Sequence, residues 1–504
     1  MGDGSGLILG VSGLRGIVGE DLTPEVAVRY AGAFGSWLRE KSGDEMPRVL
    51  VCRDGRAGGG VFLDAVCAGL RSVGCDAWDC DVQMTPSAGV IAAAKGCVAA
   101  MIVTASHNPG EWNGLKCLLA DGEMFNAPFA AEAVEIVNAF QSDEIRYVEP
   151  HDVGERIFED SGSCAIHVGL VSDKIAEVGL GINDRATAFT GKRVVLDSVN
   201  ASGSVAVEKL MQMLLIDSVQ LHGDDSGIFP HTPEPTKENL SGAGGLCDVV
   251  PGIKADVGFA QDPDADRLAI VDETGAYIGE EYTLVLCAMA LMEARMGKGA
   301  GAGKPVFVVN LSTSRMIDDV AKHYGGEVVR TAVGEANVVE AMKRLKGEGR
   351  DVVLGGEGNG GVIWPEVTYV RDSLSGMGLV LSLMARTGKS VSELVGMVNG
   401  MGPTDEVRAQ GYTILKSKSG LAKKEDARPV VEHLAEVYGG DPSARVDLQD
   451  GIRVDWDEKG VWAHVRASNT EPIMRVIVEA PSSGEAEATA AAIGAEIGRL
   501  GEVE

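Results

Sequence analysis

Asp262, Asp264 and Asp266 stand at alternate positions in AQDPDADRLAIVDETG, just beyond the apolar run ADVGFA. Three carboxylates at i, i+2 and i+4 repel one another unless a divalent cation neutralises them. Hard oxygen ligands with a position left for a phosphate oxygen suit Mg2+. A calcium EF-hand loop fails here, because Arg267 occupies its obligatory glycine position and the flanks read as strands, although Glu273 falls at the twelfth place. In VTASHNPGEWNGLK, Ser106 follows the apolar run VAAMIV at a strand-to-loop corner, where a hydroxyl can stand above a sheet edge. His107 and Lys116 supply positive charge or proton transfer beside it, as an activated nucleophile needs. Taken alone, the same cluster before Pro109 also reads as turn and capping chemistry.

Two further stretches have the composition of binding loops. GGEGNGGVIWP surrounds Glu357 and Asn359 with glycines, which let backbone approach a ligand while a carboxylate and an amide read hydroxyls; a plain tight turn is the other reading. VRASNTEPIMRV sets Arg466 and Arg475 around Ser468, Asn469 and Thr470, guanidinium and hydroxyl donors suited to cradling a phosphate, or else a solvated surface loop.

These loops need a scaffold, and the chain repeats one pattern three times. RVLVC, RVVLD and PVFVVN are β-branched strands, each followed by a polar turn, a helical stretch and a second strand. The spacing predicts three related α/β domains with mixed, largely parallel sheets, although βαβ units are common enough to recur without kinship. MGKGAGAGKP, from Met296 to Pro305, reads as a connector. Beyond about Gly402, alternating segments such as ARVDLQDGIRVDWDEKGVWAHVRAS and PIMRVIVEA predict antiparallel strands closed by an Ala-rich helix, an α+β domain. The expected boundaries are 1–160, 161–280, 281–402 and 403–504.

Length and charge bound the rest. At 504 residues the chain exceeds one core, and 45% hydrophobic residues fill several. A formal charge of -29 opposes nucleic acid and anionic membrane, so any phosphate must meet a local basic pocket. Nine scattered cysteines without a CxxC pair fit reduced core thiols. With no basic-plus-apolar leader and an apolar run broken by Lys95 and Gly96, the expectation is a soluble, cytoplasmic protein.

GVSGLRG, VTASHNPGEWNGLK, DPDADR, GGEGNGG and RASNTEP, in this order from Gly10 to Pro472, resemble the signature of the α-D-phosphohexomutase family, which includes phosphoglucomutases, phosphomannomutases and phosphoglucosamine mutases. The resemblance implies four domains around a central cleft and interconversion of hexose 1- and 6-phosphates through a sugar bisphosphate. Ser106 matches the serine that carries the phosphoryl group. Asp262, Asp264 and Asp266 match the Mg2+ ligands, with the phosphoserine completing the shell. Lys116, Arg15 and His107 match positions of proton transfer and charge stabilisation, and Arg267 joins Lys116 in offsetting charge on the transferring oxygens. Glu357 matches the sugar-recognition glutamate, with Asn359 beside it. Arg466, Ser468, Asn469 and Thr470 match the phosphate cradle, to which Arg475 adds a second guanidinium.

The implied ligands are Mg2+, a hexose phosphate and a catalytic sugar 1,6-bisphosphate, with the protein a monomer or homodimer. Asn359 within GEGNGG, and Ala467 and Asn469 within RASNTEP, depart from common family versions and put the sugar in doubt, not the reaction class. Glucosamine phosphate is the expected substrate, with mannose or glucose phosphate the alternative. A catalytically silent sugar-phosphate binder is the reading from another class; an aspartyl-nucleophile phosphatase would leave TASHNP unexplained.

Overall fold

The computed structural model of the chain describes residues 6–10, 13–122, 124–178, 188–224, 226–296, 303–468 and 472–501. The chain divides into two compact units, Met1–Ala300 with Val353–Ser392, and Gly301–Val352 with Glu393–Glu504.

The first sheet takes β1 (Ile8–Gly10), β2 (Gly13–Ile17), β3 (Arg48–Arg53), β4 (Asp76–Val82), β5 (Ala99–Val103), β6 (Trp112–Asp121), β7 (Met124–Asn126) and β8 (Arg156–Phe158). Its order is β1-β2-β6-β5-β3-β4-β8, with β7 on β6. β3 runs parallel to β4 and β5, and the crossovers such pairs need are the helices Gly59–Ser72 and Thr85–Ala94. β6 is antiparallel to β5 and β2. The second sheet, β9 (Arg193–Asp197), β10 (Asp217–Gln220), β11 (Val257–Gln261) and β12 (Leu268–Asp272), has the order β10-β9-β11-β12, antiparallel only at β12.

In the second unit, β13 (Pro305–Asn310) pairs in parallel with β14 (Glu327–Thr331). In the first, the end of β15 (Asp351–Glu357) pairs antiparallel with β16 (Gly361–Ile363). The last sheet, β17 (Thr413–Gly420), β18 (Arg445–Asp447), β19 (Ile452–Trp456), β20 (Val461–Ala467) and β21 (Ile473–Ala480), is antiparallel throughout, in the order β17-β21-β20-β19-β18. The fold is therefore α/β with mixed sheets and a C-terminal antiparallel sheet, as the strand patterns predict.

Successive side chains of a strand face opposite ways, and the first sheet is covered on both sides. β3 sends Val49 and Val51 into one apolar cluster, with the helices Pro24–Ser42 and Gly59–Ser72, and Leu50 and Cys52 into another, against Ala88 and Ile91 of the helix Thr85–Ala94. Full burial of each large apolar side chain contributes roughly 1.5–3 kcal/mol, which fixes the strand register and hence the loops that follow. All nine cysteines are free thiols, buried except for the half-buried Cys247. Among the described residues, no helix is long and apolar enough to cross a membrane. The connector from Met296 to Pro305 lies mostly outside the described residues.

Candidate active site

The chemically suggestive loops of the first unit leave its sheets at the carboxyl ends of β3, β5 and β11, where open α/β sheets expose their loops to ligands. Beyond β5, Thr104 Oγ1 accepts from the Ser106 N–H at 2.8 Å and donates to Asp54 Oδ2 at 2.6 Å. Ser106 has φ 53°, a left-handed conformation that a non-glycine residue holds only when its surroundings enforce it. The enforcement comes from Arg56, which donates to Ser106 O at 2.6 Å while its Nε binds Asp54 at 2.9 Å; both members of that pair are fully buried. This strained turn sets the Ser106 hydroxyl 3.3 Å from Asp262 Oδ2. Arg15, on β2, donates to Asn108 Oδ1 at 3.0 Å and braces the far side of the loop.

The Asp262–Asp266 turn closes through Ala265, whose φ of 55° accompanies an N–H bond to Asp262 O. All three carboxylates are 0% exposed, with oxygens within 4.8 Å of one another. Lys116 Nζ lies 2.7 Å from Asp264 Oδ2 and 3.1 Å from Asp266 Oδ2, and Arg371 Nη2 lies 2.6 Å from Asp266 Oδ2. Thr85 Oγ1 donates to Asp264 Oδ2 at 2.8 Å, and the Arg267 N–H to Asp262 Oδ1 at 3.1 Å.

Burial, reinforced by the charges of Asp264 and Asp266, pushes the Asp262 carboxyl well above the usual range. Burial acts the same way on its two neighbours, but Lys116 overrides it at Asp264 and Arg371 at Asp266, and both are held below the usual range. Asp264 Oδ1 and Asp266 Oδ1 are buried with no hydrogen-bond partner. Orphaned carboxylate oxygens cost free energy, and an all-oxygen donor set of this kind fits a hard divalent cation.

His107 Nδ1 is 3.5 Å from Ser106 Oγ, and its Nε2 is 3.9 Å from Glu234 Oε1. Burial, with Arg267 and Arg15 nearby, pushes the imidazole down to about 3, so the ring is neutral at pH 7. Arg267 Nη1 also faces Glu234, at 3.5 Å.

Glu357 ends β15, and Arg371 Nη1 binds its Oε2 at 2.8 Å, so one guanidinium ties the aspartate turn to the glycine-rich loop. Asn359 Oδ1 accepts from the Gly361 N–H at 3.2 Å, which commits it to the turn. A Cβ at Gly358 would stand 2.1 Å from Glu281 Oε2, so any side chain there would have to displace the Glu281 carboxylate.

In the second unit, Arg466 on β20 lies directly across from Arg475 on β21, and Arg475 across from Lys418 on β17. Three cations in one row across a sheet repel, and an anion offsets that cost. Ser468 is buried, and its N–H binds Ile473 O at 2.9 Å; Asn469 and Thr470 lie outside the described residues.

Sequence reasoning singled out Ser106, Lys116 and the three aspartates, which meet, but missed Asp54, Arg56, Thr85, Glu234, Arg371 and Lys418. The RDGRAGGG turn and the RD pair of VIWPEVTYVRDSL were the available signals for Asp54, Arg56 and Arg371.

Sequence models of four consecutive domains match the chain. Those described as phosphoglucomutase/phosphomannomutase alpha/beta/alpha domains I, II and III match residues 6–144, 173–275 and 280–399, and the C-terminal domain matches residues 419–495. A Thermococcus kodakarensis protein named phosphoglucomutase/phosphomannomutase is 32% identical over 95% of this chain and 96% of its own length. A probable phosphoglucosamine mutase of Methanopyrus kandleri is also 32% identical, over 95% of each chain. The crystal structure of a phosphoglucomutase/phosphomannomutase family protein from Burkholderia thailandensis superposes with a TM-score of 0.75 at 23% identity, covering 98% of this chain and 99% of that one, a likeness of fold.

Proposed function

The chain belongs to the phosphoglucomutase/phosphomannomutase family of hexose-phosphate mutases, which are isomerases, and from that premise we propose that Ser106 carries the phosphoryl group and that the substrate is glucosamine phosphate. The observation that carries this reading is the Ser106 hydroxyl, held by a strained loop 3.3 Å from the aspartate turn whose buried oxygens want a cation. Asp262, Asp264, Asp266 and the phosphorylated Ser106 would hold Mg2+, which when bound supplies Lewis-acid stabilisation of charge on the phosphoryl oxygens.

The chain's own residues do the rest. The P–O bond to Ser106 breaks as a sugar hydroxyl oxygen bonds phosphorus, and the hydroxyl proton is delivered to Ser106 Oγ. Lys116 and Arg267 offset charge on the transferring oxygens. His107, with Nδ1 3.5 Å from Ser106 Oγ, stands beside the oxygen that receives the proton. The resulting bisphosphate returns its other phosphoryl to Ser106 after reversing its orientation, and the same bisphosphate supplied from outside would act as activator by phosphorylating an unphosphorylated Ser106. Arg15 braces the Ser106 loop through Asn108. Glu357, with Asn359 fixing its turn, reads sugar hydroxyls, and Arg466, Ser468, Asn469, Thr470 and Arg475 take the non-reacting phosphate.

The glucosamine assignment draws support from the names of relatives such as that of Methanopyrus kandleri, while the Thermococcus kodakarensis relative's name keeps mannose and glucose phosphates as the alternative. The test is the ratio of kcat/KM for glucosamine 1-phosphate to those for mannose 1-phosphate and glucose 1-phosphate, at constant bisphosphate. A preference for either hydroxyl sugar transfers the substrate to the alternative.

A further inference from the structure

Among the described residues, a second group of metal-ligating side chains converges, distinct from the three aspartates. Asp197 closes β9, His222 follows β10, and His231 lies in the returning segment. Asp197 Oδ2 is 3.0 Å from His222 Nδ1 and 3.0 Å from His231 Nε2, and one ligand atom from each residue falls within 4.8 Å of the others. Asp197 is 1% exposed, whereas the histidine side chains keep 26% and 19%, which leaves a path from solvent.

The ring of His231 is oriented from behind. Its Nδ1 lies 2.8 Å from Thr232 O, so Nδ1–H donates there, and in the neutral ring Nε2 carries the lone pair. That lone pair faces a carboxylate oxygen, an arrangement of two acceptors that holds only with a proton or a cation between them. His222 Nδ1 is buried and makes no hydrogen bond, although it is equally close to the carboxylate. A carbonyl fixing the tautomer behind a ligating nitrogen is how metal-binding histidines are held.

We propose that Asp197, His222 and His231 form a three-ligand transition-metal site, separate from the Asp262–Asp266 cluster and selective for Zn2+ or an ion of its class. Two imidazoles and one carboxylate favour such ions over Mg2+. In a tetrahedral zinc site with bonds of about 2.0–2.1 Å, ligand atoms stand roughly 3.3 Å apart, so the two close contacts open by only about 0.3 Å on metal entry.

The site would fasten both ends of a loop that leans on the Ser106 support. Within that loop Gly227 O accepts from the Ala57 N–H at 3.0 Å, and the Phe229 ring centre lies 5.5 Å from the Arg56 guanidinium. A side chain at Gly227 would collide with Gly55 O at 2.1 Å, so the two turns touch backbone to backbone.

The test titrates the untagged, metal-free, full-length protein with ZnCl2 in excess Mg2+, followed by calorimetry, with X-ray absorption at the zinc edge. The expected result is one Zn2+ per chain with two imidazole scatterers, at least about ten-fold weaker in His222→Gln and in His231→Gln and retained in Asp264→Asn. Unchanged binding in folded histidine variants, or a tight equivalent lost only in Asp264→Asn, overturns the proposal. Should the histidine variants fail to fold, the wild-type spectrum decides: absence of imidazole scattering overturns it.

Discussion

The ammonium of Lys116 lies 2.7 Å from Asp264 Oδ2 and 3.1 Å from Asp266 Oδ2, so a cation on β6 is charge-matched to the centre of the aspartate turn. Asp264→Asn removes that match and one of the proposed cation ligands together. Turnover is expected to fall at least about 100-fold, with a shift of the Mg2+ requirement to higher concentration. Steady-state rates across a Mg2+ titration check this; wild-type turnover at low Mg2+ would contradict it.

Arg371 bridges Asp266 and Glu357 from a position 8% exposed. Arg371→Ala leaves two buried carboxylates short of a cation and is expected to cost roughly 3–5 kcal/mol of stability in addition to activity. Arg371→Lys, a point charge without the planar fork, should restore part of the stability and less of the activity. Urea unfolding of the two variants, beside kcat/KM, separates these effects.

His464 gives a pH dependence in the second unit. It is 1% exposed, with Ser312 Oγ 2.9 Å from Nδ1 and Asp450 O 2.7 Å from Nε2, and burial pushes its imidazole down to about 4 from 6.5. Below pH 6.5 the unfolded chain takes up a proton that the folded chain refuses until about pH 4, so stability is lost as pH falls through that window. The loss amounts to about 3 kcal/mol. His464→Gln should remove this contribution, and urea titrations between pH 7 and pH 4 on both proteins measure the difference.

What the sequence disclosed depended on how local each feature is. TASHNP and DPDADR are readable because their functional groups lie within a few residues, and β5 is readable because burial on both faces makes it uniformly apolar. The RDGRAGGG turn and the RD pair of VIWPEVTYVRDSL mark Arg56 and Arg371 as turn arginines, but their partners were not legible, because Asp266 is 105 residues from Arg371 and Ser106 is 50 from Arg56. The three-residue strands β1, β7, β8 and β16 are too short for a period of two to register, and their pairing is fixed by neighbours in space. The row of Lys418, Arg475 and Arg466 similarly exists only through strand register.

The most direct test of the account is the location of the phosphoryl group. The protein is incubated with sugar 1,6-bisphosphate, and intact mass and peptide mapping are compared for wild type and Ser106→Ala. The account predicts one phosphate per chain on Ser106, absent from the variant, together with loss of mutase turnover. A phosphate on another residue, or near-full turnover by Ser106→Ala, would contradict it.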